Sequence, residues 1–294
     1  MDIVTQLLRI IFNSLQTGSI YALAALGIVL IFRTSRTTNF AQGSIGTLNA
    51  YVAAMAMASL GWNIWAVALL SIITAFFTGV IIDKFILRPV AKVSPISKQI
   101  ITLGLIMVIV GIIPFIFGVE TYRLPRFIAA GRYDILGATL RLNTIFTVGL
   151  SLALMGFIFW FIQYTKWGLA IRVTASDEAT SRLMGVPTKT VTTMSWAVAA
   201  ILGTLAALIV APQANVNPNM LMDVQISAFF AAVFGGFQTF YGAVIGAYII
   251  AFSRNFGAFY ISDVWASAIV YTLILVFLYF KPFGLFGKKP IKKV

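Results

Sequence analysis

The sequence predicts an all-α polytopic membrane protein, and three observations carry that prediction. Of 294 residues, 60% are hydrophobic and only 10% charged, and the mean hydropathy is +0.97, whereas a soluble domain carries roughly 25% charged residues. Apolar stretches recur at about the 20-residue length that crosses a hydrocarbon core of roughly 30 Å. The basic residues behind the net charge of +13 gather in short clusters between those stretches. Membrane-flanking charge is distributed in this way, and a nucleic-acid-binding face is not.

Six segments are uninterrupted: residues 7–32, 62–82, 100–118, 142–162, 193–211 and 264–280. Two are irregular, 41–60, which starts at "TTNFAQGSIG", and 226–252, which is broken by "FGGFQTFYG". The expectation is about eight membrane segments, including broken or re-entrant half-helices. The first segment has no basic leader and exceeds a signal-peptide core in length, so it is expected to be retained.

Orientation follows from Lys and Arg, which concentrate in cytoplasmic loops. Residues 83–99 hold Lys84, Arg88, Lys92 and Lys98; the loop 163–192 holds Lys166, Arg172, Arg182 and Lys189; the tail 281–294 holds five lysines. These three are expected inside, which puts 119–141 outside despite Arg123, Arg126, Arg132 and Arg141. By parity, 226–252 then crosses an even number of times. Its flanks, 226–234 and 242–252, are each about half a membrane long at roughly 1.5 Å per residue. A re-entrant or broken pair about Gly235 and Gly236 is expected, with its irregular backbone covered by protein or water. "GSIGTLNAYVAA" and "GAVIGAYIIAF" share a small-residue start, a second glycine and a later Ala-Tyr. An internal repeat of the kind that marks transporter pathways and a chance likeness both fit.

The chemistry is restrictive. Cysteine and histidine are absent, so thiolate catalysis is excluded, as is a Ser-His arrangement built on Ser44 of "QGSIG". Every lysine falls in an expected loop or the tail, which leaves no buried base for a Ser-Lys pair. All eight acidic residues are likewise placed at termini or in loops, Asp83 and Asp223 among them. That disfavours proton-driven transport, which keeps ionisable groups inside the membrane. With no G-x-x-x-x-G-K-[ST] loop either, active transport would draw its energy from another subunit. An ion-driven carrier or channel for a small polar solute, acting without an ATPase, is the alternative.

In "KWGLAIRVTASDEATSRLMGVPTK", Ser176 reads as an N-cap, Asp177 and Glu178 complement a helix N-terminus, and Gly185 followed by Pro187 ends the helix. About eight residues, roughly 12 Å, are expected. Ala179, Leu183 and Met184 would form a small apolar ridge beside Arg172 and Arg182, facing either a partner subunit or solvent.

Together these residues resemble the integral membrane permeases of branched-chain amino acid ABC importers, the LivH type. "GSIYALAALGIVLIF" with "NFAQGSIGTLNAYVA" is similar to the N-terminal signature, "GLAIRVTASDEATSRLMGV" to the cytoplasmic motif, "AVFGGFQTFYGAVIGAY" to the Gly-Gly segment, and "LYFKPFGLFGKK" to the C-terminal end. The likeness covers nearly the whole chain. It implies an ABC importer permease fold in the bacterial inner membrane, formed by one transmembrane permease domain over 1–294, with no cofactor of its own. The implied partners are a second permease, LivM-like or a second copy, two ATPases that hold ATP and Mg, and an extracytoplasmic solute-binding protein.

The resemblance also makes Arg172, Ser176, Asp177, Glu178, Ala179, Arg182, Leu183, Met184 and Gly185 the ATPase-coupling segment. For the translocation path, the expected residues are Asn39, Gln42, Gly43 and Gly46 with Gly235, Gly236, Gln238 and Gly242. Close helix packing is the competing role for each glycine. Gln42 stands where the family commonly has histidine. If that side chain touches substrate, a cargo other than leucine, isoleucine or valine is implied, since related permeases serve urea, short amides and other acids.

Overall fold

The computed structural model describes residues 3–91, 93–135 and 137–287, so Asp2, Lys92 and the last four lysines of the tail lie outside the described residues. Eleven helices appear among them. The chain descends through α1 (Ile3–Ser35), returns through α2 (Gln42–Leu60), and descends again through α3 (Ile64–Ile81), which widens into a π-turn over Ile82–Leu87. After α4 (Pro95–Phe117), a two-stranded antiparallel hairpin, β1 (Arg132–Ile135) and β2 (Ala138–Arg141), leads into α5 (Leu142–Tyr164). Two short helices, α6 (Lys166–Ser176) and α7 (Glu178–Leu183), precede the long α8 (Thr188–Ala214). The last three are α9 (Met222–Gly235), α10 (Phe240–Tyr260) and α11 (Asp263–Phe280). Seven helices, counting α3 together with its π-turn, are long and apolar enough to span a membrane; α2 and the 14-residue α9 complete the bundle.

The core is built on α1 and α8. Residues 18–31 of α1 are buried without a break, and α8 buries Trp196, Leu202 and Leu208. Within a bilayer lipid is as apolar as leucine, so helices associate through close backbone approach at small residues. Gly46 of α2 lies against the Gly203 carbonyl of α8, and Gly79 of α3 lies on the backbone of Trp196 and Ala197, where a Cβ would overlap main-chain atoms. At the periphery, α4, α5 and α11 turn large apolar side chains outward, such as Met107, Phe115, Phe157 and Leu273. Exposed aromatic residues with polar tips ring both ends of the helices, including Trp62, Trp65 and Trp265 at one end and Trp160, Tyr164 and Tyr279 at the other, where an aromatic belt meets the membrane interface.

The basic segments gather at one end. Arg36 donates to the Ala175 carbonyl at 2.5 Å, Arg88 reaches Thr193 at 2.6 Å, and Gly236 sits against Phe283 and Gly287 of the tail. At the opposite end, Arg9 of α1 donates to the Gly137 carbonyl at the hairpin, at 3.3 Å.

Three expectations change. The segment 226–252 forms part of two antiparallel helices, the short α9 and the long α10, and their Gly235-Gly236 turn lies at the basic end, not at mid-depth. The Gly236 φ of +97° makes the turn, and Leu285 and Phe286 donate to the Phe234 and Gly235 carbonyls. Asp83 is not in a loop: it is buried in the π-turn, 3.1 Å from Arg88 and accepting from Thr193 at 2.6 Å. Asp223 likewise belongs to the first turn of α9.

The α3–α8 seam gives a stability prediction. Gly79→Val would force the two backbones apart, at about 1–3 kcal/mol for overpacking. The expected result is a lower Tm of the detergent-purified protein, whereas Gly104→Val, on a face with open space, should leave Tm nearly unchanged.

Candidate functional site

The residues of "NFAQG" meet inside the bundle. The first N–H groups of any helix lack intrahelical partners, and α2 begins in the interior with Ala41, which has no capping side chain, at its N-cap position. Other residues supply the missing acceptors. Asn39 Oδ1 accepts from the Ala41 N–H at 3.0 Å, and Gln225 Oε1, reaching in from α9, accepts from the Gly43 N–H at 2.7 Å. Gln42, fully buried, accepts from Asn39 Nδ2 at 3.1 Å and donates through Nε2 to the Ala199 carbonyl of α8 at 2.5 Å. Its amide fits between Gly27 of α1 and Gly203 of α8, where a Cβ on either glycine would collide with it. This clasp joins four helices, α1, α2, α8 and α9.

Gly235, Gly236, Gln238 and Gly242 form a second group, at the basic end. Gly235 and Gly242 touch backbone to backbone, and Gln238 is exposed. A ladder of rings, Phe40–Phe229–Phe237, with centroid distances of 5.4 and 5.8 Å, connects the two groups.

The segment expected to couple to an ATPase is helical but capped differently than expected. Ser176 ends α6, and Asp177 is the N-cap, its Oδ1 accepting from Ala179 and Thr180 at 2.9 and 3.2 Å. The second carboxylate oxygen, Oδ2, accepts from the Thr180 hydroxyl at 2.9 Å, and α7 is the six residues that follow Asp177. Glu178 and Arg182 pair at 2.5 Å, and Arg182 Nε donates to Thr188 Oγ1 at the start of α8 at 2.9 Å. Arg172 donates to Gln163 at 3.1 Å. Gly185, with φ +80°, closes the turn. Leu183 and Met184 project from it at 90% and 73% exposure, with Ala179 exposed on the same helix.

At the opposite end, a cavity of about 410 Å³ collects Arg9, Arg126, Arg132 and Arg141 with Asn13, Gln16 and Gln213. The sequence signalled three of these arginines only as a conflict with the charge rule. It gave no sign of Gln225, because a glutamine in a helix is not by itself a cap signal. Nor did it mark Arg254, which lies two residues past the apolar run but inside α10.

Against known families, residues 10–279 match the model described as "Branched-chain amino acid transport system / permease component". The chain belongs to this family. It is therefore a multi-pass permease subunit of an ABC importer, located in the bacterial inner membrane. It is 25% identical over 301 residues to the high-affinity branched-chain amino acid transport system permease protein LivH of Escherichia coli (strain K12), covering 98% of this chain and 97% of that one. BraD of Pseudomonas aeruginosa, of the same description, is 25% identical and 98% covered on both sides. The ribose import permease protein RbsC of Escherichia coli (strain K12) is 27% identical over 263 residues, covering 83% of this chain and 76% of that one. Among solved structures, PsaBC from Streptococcus pneumoniae in complex with Fab covers 90% of each chain at 11% identity and a TM-score of 0.49.

Because Gln225 caps a helix from 182 residues away, Gln225→Leu should behave as a lost N-cap. The expected destabilisation is about 1–2 kcal/mol, read as a lower Tm, with Gln225→Glu retaining most of the wild-type value.

Proposed function

We propose that this permease imports branched-chain or related amino acids, delivered by an extracytoplasmic solute-binding protein and driven by two ATP-binding subunits. It acts beside a second permease, either LivM-like or another copy. The basic end is cytoplasmic. The observation that carries the reading is the pair Leu183 and Met184, held outward on a short capped helix in a chain whose family match spans 10–279. An exposed apolar tip of this size beside Glu178 and Arg182 suits a partner's cleft, since apolar anchors ringed by polar residues concentrate binding energy.

The route from that tip inward is short. Arg182 holds Thr188, the first residue of α8; α8 carries Thr193, bound to Asp83 and Arg88 of the π-turn; further along it carries Ala199 and Gly203, which grip the clasp. A shift of the docked ATPase therefore acts on α8 and, through it, on the start of α2. The path runs beside Asn39, Gln42, Gly43 and Gly46 and exits near Gly235, Gly236, Gln238 and Gly242. In this state the Gln42 amide serves the Ala199 carbonyl. Alternating access follows when ATP and loaded binding protein favour different states of the paired permeases. On the outer side, the four arginines around the 410 Å³ cavity suit acidic side chains on the binding protein, because complementary charge steers and registers docking.

The assembled complex in liposomes tests this. Leu183→Asp with Met184→Asp should cut binding-protein-stimulated ATP hydrolysis by about tenfold or more, as loss of an interface anchor does, while membrane insertion is kept. Unchanged stimulation would remove α7 from the coupling role. Uptake by the purified chain alone, driven by an ion gradient, would establish the carrier alternative instead. Replacing Arg126 and Arg132 by Gln should weaken the binding protein's effect most at low salt, where exposed charges are least screened.

A further inference from the structure

An ion pair sits in the outer part of the bundle, outside the residues assigned above. Arg254 lies six residues before the end of α10, roughly 9 Å inside at the helical rise. It donates to Asp223 in the first turn of α9 and to the hydroxyl of Tyr21, a fully buried residue of α1. Close by, Ser227 of α9 and Tyr271 of α11 share a hydrogen bond of 2.7 Å. Four helices thus converge on a polar cluster at a depth where ionisable side chains are costly and mark substrate or ion pathways.

The pair is not sealed. The Asp223 side chain is 53% exposed and that of Arg254 25%, so it opens on the surface of this chain, and a charged pair in that position is unsuited to face lipid tails. Met222 and Ile226, beside Asp223 on α9, are 64% and 38% exposed and give the opening an apolar wall.

We propose that Asp223 and Arg254 form a reception site for the zwitterionic head of an α-amino acid, a proposal that rests on the amino acid import reading above. The substrate carboxylate takes the planar donors of Arg254, and its ammonium takes the Asp223 carboxylate, while the apolar side chain lies along Met222 and Ile226. A guanidinium suits a carboxylate because its donors are fixed in a fork. A neutral pair also admits a neutral zwitterion with no net charge brought to this depth, whereas a simple amine or a simple carboxylate would add one. No covalent step is involved.

The test uses the complete importer with its binding protein in liposomes, measuring molecules of amino acid imported per ATP hydrolysed. Arg254→Gln and Asp223→Asn should each lower that ratio by about tenfold or more, the scale of a lost charge-assisted hydrogen bond. Arg254→Lys keeps the charge without the fork and should lower it severalfold; if Arg254→Gln does not assemble with its partners, this variant and Asp223→Glu decide. A wild-type ratio in the assembled variants would overturn the proposal. So would full recovery in the exchanged variant, Asp223→Arg with Arg254→Asp, since that restores a structural clip but reverses the recognition. A wild-type complex that imports no amino acid would instead overturn the import reading itself.

Discussion

The buried start of α2 is the constraint on which the rest of the fold depends. A helix N-terminus presents unpaired N–H groups, and each one left unsatisfied in an apolar interior costs about 1–3 kcal/mol. With Ala41 at the N-cap position, the acceptors have to come from Asn39 and from Gln225 on a distant helix. That requirement fixes α9: Gln225 must reach Gly43, so the chain after α8 has to turn back into the bundle before Met222. It also fixes the neighbours of α2, because Gln42 finds room for its amide only where α1 and α8 carry glycines, at positions 27 and 203.

The same arrangement makes α8 a meeting point for several elements of the fold. Its first residue is held by the α7 arginine, its next turn by the Asp83-Arg88 pair of the π-turn, and its middle by Gln42. The π-turn matters here because its wider i to i+5 closure, Arg88 N–H to Asp83 carbonyl at 2.8 Å, sets both charged side chains toward Thr193. Helical wideners of this kind occur often at functional sites. These contacts tie α8 at three levels to α7, to the π-turn and to the start of α2, and the coupling route proposed above runs along them.

Legibility in the sequence followed the physics of each signal. The long apolar runs were plain because lipid demands them, and "TTNFAQGSIG" was plain because amides and glycines have no use on a lipid-facing helix. The turn at Gly235-Gly236 was visible as a break, but its depth was not: ending the second flank at Phe252 made both halves look too short to cross. The helix continues to Tyr260 because Arg254 is neutralised by Asp223 and Asn255 folds its amide onto the Ala251 carbonyl at 2.9 Å. Hydropathy adds each residue separately and so misses a partner 31 positions away. For the same reason Asp83 and Asp223 read as loop residues. The cap of α7 was displaced by one residue because Ser176 and Asp177 are both good caps, and only the geometry of α6, which runs through Ser176, decides between them.

The placement of charge differs between the two paired aspartates of the bundle. Asp83 is buried and ties α3 to α8 through Arg88 and Thr193, while the Arg88 side chain stays 35% exposed, so solvent screens the ion pair itself. Asp223 with Arg254 reverses the arrangement, the carboxylate being 53% exposed and the guanidinium 25%. The first contact anchors its carboxylate inside the bundle, and the second leaves its carboxylate open at the surface of this chain, the property on which the proposed reception of an amino acid head group relies.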